Sequence, residues 1–321
     1  MEIEHKIITT NGIKMHVARM GSGPLVLLCH GWPESWYSWR HQLKALAAAG
    51  YCAVAPDMRG YGQTDKPEAI DQYTLFHLTG DTVGVVDALS FKEGVIIGHD
   101  WGAPVAWHSA LFRPEIFKAV VGLSVPFRPR GDVRPTTMMP QTDTAIFYQL
   151  YFQEPGVAEA DLEKDVRLSL RTTLFGGVAT AEGDSTSVGM LPRAGGWLAS
   201  RKAPSTPPPW ITETDIDFYE GEFKNSGFRG GLNWYRNIDR NWELLAPWAG
   251  AKVTVPAIYI AGDRDLVVRF RGMDQLIPNL KLFIPQLEGT IMIPGCGHWT
   301  QQERPEDVNS AVIKFLDGLK Q

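Results

Sequence analysis

The sequence is poor in cysteine, in long apolar runs and in surplus positive charge, and each shortage excludes a class of protein. Its three cysteines, Cys29, Cys52 and Cys296, are too few and too scattered for a disulfide framework. No stretch approaches the length of a membrane span, and a formal net charge of −5 offers no basic surface to nucleic acid. These shortages predict a globular protein that binds neither membrane nor nucleic acid.

Other patterns are lacking as well. The first residues contain acid and no long apolar run, so no signal peptide is predicted and a reducing, cytoplasmic setting is expected. The chain has no C-x-x-C pair and no H-E-x-x-H run, so neither a metal nor another cofactor is predicted. At 321 residues, of which 44% are hydrophobic and 21% charged, it is expected to form a large core and a second unit.

Short apolar runs alternate with longer helical patterns in the first part of the chain. Asn11-Gly12, between two extended segments, is a strong signal for a β-hairpin. Beyond it, the pattern predicts buried strands at residues 25–29, 52–55, 95–97 and 119–123, and helices at residues 36–49, 73–89 and 103–112. Such alternation predicts an α/β protein with a mostly parallel central sheet flanked by helices.

The alternation ends near Pro126 and returns only with strand-like runs at residues 257–261 and 290–293, followed by a helix at 307–319. The stretch between shows a loop-rich part at residues 174–209 and helical patches at 145–153, 158–174, 214–224 and 231–245. We therefore predict an α/β core formed by residues 1–127 and 247–321, the core segments. Residues 128–246, the cap segment, are predicted to form an all-helical cap, or lid.

The segment Gly98-His99-Asp100-Trp101-Gly102 joins an apolar strand to a helical pattern. It matches the G-x-S-x-G elbow of α/β hydrolases, with aspartate in the serine position. Glycine suits a tight, strained turn in which a Cβ would collide with neighbouring backbone. The alternative is an N-cap aspartate at an ordinary strand–helix junction. The pattern favours Asp100 as a nucleophile at the carboxyl edge of the sheet.

A carboxylate nucleophile needs a base to activate water, and the base needs an acid to orient it. Asp263 and Asp265 follow the strand at 257–261, and His298 follows the strand at 290–293. This is the chain order of the fold, in which nucleophile, acid and histidine follow one another. Alone, His298 would be interpreted as a structural histidine. As the third member of an ordered set it is predicted to be the base.

The loop after the strand at 25–29 begins His30-Gly31-Trp32-Pro33. In this fold that loop supplies one backbone N–H of an oxyanion hole, and the residue after the nucleophile supplies the other. Trp32 and Trp101 are therefore the predicted donors. Pro33 is expected to fix the loop, and a cis bond is compatible with it. The alternative is a simple tight turn after a strand.

An aspartate nucleophile restricts the chemistry. Attack on an acyl carbon would form an anhydride, whereas attack on a saturated carbon forms an alkyl ester that activated water can hydrolyse. Epoxides and alkyl halides are the natural substrates for this sequence of steps. An epoxide oxygen leaves as an alkoxide and needs an acid, for which tyrosine is suited. The cap segment offers Tyr148, Tyr151 and Tyr235. Spacing does not choose between the first two, and either could be plain packing.

Three segments resemble the soluble epoxide hydrolases of the α/β-hydrolase fold: residues 30–40, residues 98–102 and Cys296-Gly297-His298-Trp299. The resemblance extends over nearly the whole chain. It implies an enzyme that converts a small epoxide to a vicinal diol through an ester on Asp100, hydrolysed by water that His298 activates. It also implies that Tyr148 and Tyr235 donate to the epoxide oxygen, and that Asp265 rather than Asp263 orients His298.

Aromatic residues cluster around these motifs. Core filling is one interpretation, and an apolar substrate pocket is the other. On the second interpretation, the residues predicted to contact substrate are Trp32, Pro33, Trp101, Tyr151 and Trp299. The substrate itself, its stereochemistry and a homo-oligomeric state are left open by the sequence.

Two alternative functions compete with this prediction. A dehalogenase on the same fold would also use a tryptophan after the nucleophile, but such enzymes often have asparagine at the position of Trp32 and do not need the tyrosine pair. A ligand receptor that has lost turnover would not need the full set of Asp100, Asp265, His298 and both tyrosines.

Overall fold

The strands form one large sheet and one small one. A computed structural model describes residues 2–176, 188–200 and 206–320. The large sheet has the order β1-β2-β4-β3-β5-β6-β9-β10, in which the six strands from β4 to β10 run parallel. The strands are β1 (Glu4–Thr10), β2 (Ile13–Met20), β3 (Leu25–Cys29), β4 (Cys52–Pro56), β5 (Gly94–His99), β6 (Phe117–Leu123), β7 (Ala145–Phe147), β8 (Met190–Pro192), β9 (Ala257–Gly262) and β10 (Leu287–Ile293).

Helices connect the parallel strands and fill the segment between β6 and β9. In the part of the chain that the structure describes, no helix is long and apolar enough to cross a membrane. The helices are α1 (Arg40–Ala48), α2 (Leu75–Ala88), α3 (Gly102–Phe112), α4 (Tyr148–Tyr151), α5 (Val157–Leu162), α6 (Val166–Leu174), α7 (Gly196–Ser200), α8 (Glu213–Ser226), α9 (Arg229–Arg236), α10 (Ile238–Leu244), α11 (Met273–Leu276), α12 (Thr300–Glu303) and α13 (Pro305–Gly318).

Both faces of the central sheet are covered, as its continuous apolar strands predict. In β3, Leu25, Leu27 and Cys29 pack on the side of α2 and α3, whereas Val26 and Leu28 pack on the side of α1 and α13. Successive side chains of a strand point to opposite faces, so a strand between two helical layers buries all of them. The predicted parallel sheet flanked by helices is confirmed.

The N-terminal hairpin is also confirmed. Asn11 and Gly12 have φ values of +43° and +78°, and Thr10 pairs with Ile13 across the turn. Two successive positive φ values are what a tight hairpin turn requires, and asparagine and glycine are the residues that tolerate them.

The cap segment contains α4 to α10, but the prediction that it is all helical is wrong. β7 pairs antiparallel with β8, so the helix predicted to begin at residue 145 begins only at Tyr148. Strands of three residues are too short to show an alternating pattern, and the two partners lie far apart in the chain. The segment at 174–209, predicted to be rich in loops, contains β8 and α7, while its residues 177–187 and 201–205 lie outside the described residues.

Candidate active site

Asp100 lies in the turn between β5 and α3, with a backbone φ of +50°. Positive φ is uncommon in a non-glycine residue, and such strain is concentrated at functional sites. A Cβ on Gly98 would collide with the backbone of Gly102, and one on Gly102 would collide with the backbone of Cys29. The two glycines therefore allow the close approach that presents Asp100 at the sheet edge.

The loop after β3 contacts the side chain of Asp100. The Trp32 backbone N–H donates to Asp100 Oδ1 at 2.8 Å. A Cβ on Gly31 would collide with the Asp100 side chain, so this approach requires glycine. The Trp32–Pro33 peptide bond is cis. Trp101, the second predicted donor, is the N-cap residue of α3, and its backbone N–H belongs to the same turn as Asp100.

His298 lies between two carboxylates. Its Nε2 is 3.4 Å from Asp100 Oδ2, and its Nδ1 is 2.9 Å from Asp265 Oδ1. Asp265 is completely buried. Asp263, the other candidate acid, accepts a hydrogen bond from the Gly295 backbone N–H instead. The structure thus brings Asp100, His298 and Asp265 together and leaves Asp263 apart.

The carboxylates determine the charge of the histidine. Burial disfavours the imidazolium, but the charges of Asp265 and Asp100 and their hydrogen bonds outweigh burial and raise the pKa of His298 well above its ordinary value. Burial also disfavours the Asp100 carboxylate, yet the charge and hydrogen bond of His298 hold the pKa of Asp100 below its ordinary value. Both shifts favour an imidazolium–carboxylate pair between His298 and Asp100.

A second histidine–carboxylate pair, which sequence reasoning missed, lies behind the first. His99 Nδ1 is 2.9 Å from Glu34 Oε2, and His99 Nε2 donates to the backbone carbonyl of His298 at 2.8 Å. Glu34 also accepts from the Gly31 N–H at 3.0 Å. Burial works against the Glu34 carboxylate, but His99 outweighs it and lowers the pKa of Glu34. Both residues lie within sequence motifs, Glu34 in residues 30–40 and His99 in residues 98–102, but no local pattern indicates that they pair.

Ser124 is a further residue that sequence reasoning missed. It directly follows β6, and its Oγ lies 2.9 Å from His298 Nδ1. Because the carboxyl ends of parallel strands meet at one edge of the sheet, this position was the one signal that could have found it.

The cap segment contributes two phenols. Tyr148 begins α4 and Tyr235 lies in α9, and their rings are nearly perpendicular with centroids 5.9 Å apart. Burial, followed by the effects of Tyr148 and Asp100, raises the pKa of Tyr235 well above its ordinary value. Its hydroxyl therefore keeps its proton at neutral pH. The Tyr148 hydroxyl oxygen accepts from the Gln149 side-chain amide at 2.9 Å.

One cavity joins these groups. Aromatic and aliphatic side chains make up most of its wall, with a few polar groups among them, which is typical of a site for a small molecule. Trp32 and Trp299, both predicted to contact substrate, are part of the wall. The cavity is lined by Trp32, Asp100, Tyr148, Thr173, Gly189, Trp197, Tyr235, Leu266, Val267, His298 and Trp299.

Three residues predicted to contact substrate lie outside this wall. The Tyr151 hydroxyl donates to Asp161 Oδ2 at 3.1 Å, so substrate contact by Tyr151 stays a prediction. Pro33 follows Trp32 in the loop after β3, and its contact with substrate stays a prediction. Trp101 packs edge-on against the Tyr235 ring, with centroids 5.2 Å apart, so its side chain contacts a wall residue.

Known proteins are similar to this chain in sequence and in fold. The chain matches the alpha/beta hydrolase fold family over residues 24–305. It is 44% identical to Epoxide hydrolase 3 of Siraitia grosvenorii over 98% of this chain and 99% of the relative. It is 43% identical to Epoxide hydrolase A of Mycobacterium tuberculosis over 98% of both chains. The solved structure of an epoxide hydrolase from an endophytic Streptomyces has a TM-score of 0.94 and 44% identity, covering 99% of this chain and 96% of that one.

The chain therefore belongs to the alpha/beta hydrolase fold family, and the predicted fold is confirmed. Within that fold its relatives place it among the epoxide hydrolases, as the resemblance of its motifs implied.

Proposed function

We propose that this protein converts epoxides to vicinal diols through a covalent ester on Asp100. The observation that carries the proposal is a single cavity in which a mostly buried carboxylate and its histidine meet two phenols. A carboxylate nucleophile alone would also suit an alkyl halide. Two acids favour an epoxide, because its oxygen leaves as an alkoxide and needs a proton.

In the first half-reaction Asp100 Oδ2 attacks an epoxide carbon. The bond from carbon to Oδ2 forms as the bond from carbon to the epoxide oxygen breaks, and the freed oxygen takes a proton from Tyr148 or Tyr235. Oδ1, which accepts from the Trp32 N–H, becomes the carbonyl oxygen of the ester. The products are an alkyl ester and one tyrosinate.

Formation of the ester changes the protonation of the base, His298. It removes the negative charge of Asp100, which is one cause of the raised pKa of His298. The pKa of His298 then falls, so the imidazolium releases a proton and the tyrosinate takes one up from solvent. Asp265 retains the hydrogen on Nδ1, which leaves Nε2 free to act as a base towards water.

In the second half-reaction His298 Nε2 takes a proton from water, and the resulting hydroxide attacks Cγ of Asp100. The N–H groups of Trp32 and Trp101 stabilise the oxyanion. When the bond from Cγ to Oδ2 breaks, the diol carries Oδ2 away and Asp100 keeps the oxygen of the water. The hydroxyl proton of the intermediate passes to the diol alkoxide. The cycle thus ends, as it began, with the imidazolium–carboxylate pair and two protonated tyrosines.

We also propose that the core segments form the hydrolase core and that the cap segment forms a lid. In support, the cap segment supplies Tyr148 and Tyr235, whereas Asp100, Asp265 and His298 come from the core segments. The proposed partner is a small epoxide, with no cofactor in the reaction. A cytoplasmic setting is proposed, which the three free, buried cysteines support.

Isotope transfer in a single turnover tests the mechanism. In oxygen-labelled water, excess enzyme should release unlabelled diol, and the label should enter Asp100. Labelled diol on the first turnover would mean that water attacks the epoxide directly. Rapid chloride release from a panel of haloalkanes, with no epoxide turnover, would instead favour the dehalogenase alternative.

A further inference from the structure

Ser124 has a strained backbone at the end of β6. Its φ is +67°, and the Val125 N–H donates to the Leu123 carbonyl at 2.8 Å, which closes a γ-turn around it. A γ-turn with positive φ is rare and strained. Such conformations persist only where the surrounding structure holds them, and they are concentrated at functional sites.

The neighbouring strand holds the backbone of Ser124. Its N–H donates to the Ile260 carbonyl at 2.8 Å, and its carbonyl accepts from the Tyr259 hydroxyl at 2.6 Å. Both partners belong to β9, the strand that leads to Asp265. Since neither contact uses the Ser124 hydroxyl, the strained turn and the hydroxyl can be tested separately.

The direction of the hydrogen bond between Ser124 and His298 follows from the other partner of the ring nitrogen. Nδ1 lies 2.9 Å from Asp265 Oδ1, and a carboxylate only accepts, so Nδ1 carries a hydrogen. A ring nitrogen that carries a hydrogen has no free lone pair. Ser124 Oγ, also 2.9 Å from Nδ1, must therefore accept. The one N–H is shared between two acceptors from two different strand ends.

We propose that Ser124 is a positioning residue for His298, whose hydroxyl shares the Nδ1 hydrogen with Asp265 and so keeps Nε2 directed at the ester on Asp100. One acceptor fixes the direction of the N–H, and a second limits rotation of the ring about that direction. The inference rests on the proposed function, in which His298 acts as a base only in ester hydrolysis. Ser124 should therefore affect the second half-reaction and not the first.

Two variants separate the hydroxyl from the backbone strain. Ser124→Ala removes the hydroxyl and keeps the strain, whereas Ser124→Gly removes both. With styrene oxide as the probe, in single turnovers quenched for intact-protein mass spectrometry, both should form the ester at the wild-type rate. Ester decay should slow by about 3- to 10-fold in both, the loss expected for one hydrogen bond. Ser109→Ala is the matched control, because this buried hydroxyl bonds to Thr82 Oγ1 instead.

The pH dependence of ester decay distinguishes positioning from packing. Loss of an acceptor destabilises the imidazolium and so lowers the pKa of His298. The fall of the decay rate at low pH, the acid limb of its pH profile, should therefore move to lower pH in Ser124→Ala. A packing defect would lower the rate at all pH values and leave the limb in place. In the ester, where Asp100 is uncharged, the variant keeps the other titratable groups that act on His298, which are Asp265, His99 and Glu303.

The outcomes separate this inference from the function on which it rests. Ester decay at the wild-type rate in Ser124→Ala, or a lowered rate with an unmoved acid limb, would overturn the role of Ser124. So would normal decay in Ser124→Gly, since the hydroxyl would then be dispensable. If neither the wild type nor His298→Gln ever forms an ester, the proposed function fails instead.

Discussion

The core segments and the cap segment hold their site residues in different ways. Asp100 and Ser124 lie in turns at strand ends, and their backbones have positive φ values held by neighbouring strands and glycines. Tyr148 and Tyr235 lie on short helices held by side chains. The Gln153 side-chain amide donates to the Gln149 carbonyl at 2.8 Å and to the Tyr235 carbonyl at 2.9 Å, and so links α4 to α9.

This difference corresponds to a division of the reaction. In the proposed mechanism the core segments supply the nucleophile, its base and the oxyanion-hole donors, and the cap segment supplies the acids for ring opening. A nucleophile and its base require fixed geometry, because a small misplacement lowers the rate strongly. Loss of the base in the core segments and loss of an acid in the cap segment should therefore stall different half-reactions.

The largest separation of the two half-reactions is expected from His298→Gln. This change removes the base and leaves Asp100 and both phenols, so the ester should form and then persist. Loss of a general base typically lowers a rate by about 10²–10⁴. Intact-protein mass spectrometry after addition of an epoxide should show one added substrate mass, which maps to the peptide containing Asp100.

Asp100→Ala is the matched control and should show no added mass under the same conditions. Asp265→Asn should give a weaker form of the same stall, because Asp265 orients the imidazole and stabilises its charged form. A folded His298→Gln protein that binds the epoxide but never carries an adduct would contradict the covalent mechanism.

On the cap side, Tyr148→Phe and Tyr235→Phe should slow ring opening and leave ester decay unchanged. Each change removes one donor to the developing alkoxide, for which a loss of about 10²–10³ in rate is expected. The double variant should be nearly inactive. Single-turnover measurements of ester formation check this, because these variants should not accumulate the ester.

Tyr151→Phe tests whether a cap tyrosine must have its hydroxyl in the cavity to assist epoxide opening. Its hydroxyl bonds to Asp161 outside the cavity, so epoxide opening should change little. A large loss of opening in Tyr151→Phe, with full activity in Tyr148→Phe, would exchange the roles of the two residues.

The smallest effect is expected where the two regions touch. Glu222 of α8 lies against the core, since a Cβ on Gly62 would collide with both Glu222 and Asp57. Burial, followed by the charge of Asp57, raises the pKa of Glu222 from 4.5 to about 7. Between these values the folded chain binds more protons than the unfolded chain, so this residue lowers stability as pH rises.

Glu222→Gln removes that pH dependence. Relative to the wild type, its Tm should be higher, and the gain should be larger at pH 8 than at pH 5. Thermal unfolding at the two pH values checks this. An equal gain at both would show that the charge of Glu222 does not strain the contact between core and cap segments.

The sequence by itself determined the sheet, the elbow and the order of the core residues. These features depend on local constraints. Buried strands need continuous apolar runs, and the turn at Asp100 needs Gly98 and Gly102 because any Cβ would collide with backbone. Such requirements act on residues close together in the chain, so they leave a readable pattern.

Only the tertiary structure decided which side chains meet. It brought Asp265 and not Asp263 to His298, directed the Tyr151 hydroxyl to Asp161, and placed Ser124 against the base. It also paired β7 with β8 and Glu34 with His99. In each case the pairing depends on positions that are set by elements far apart in the chain. No local pattern of residues records such a distance, because it arises only when the strand ends and the cap segment pack together.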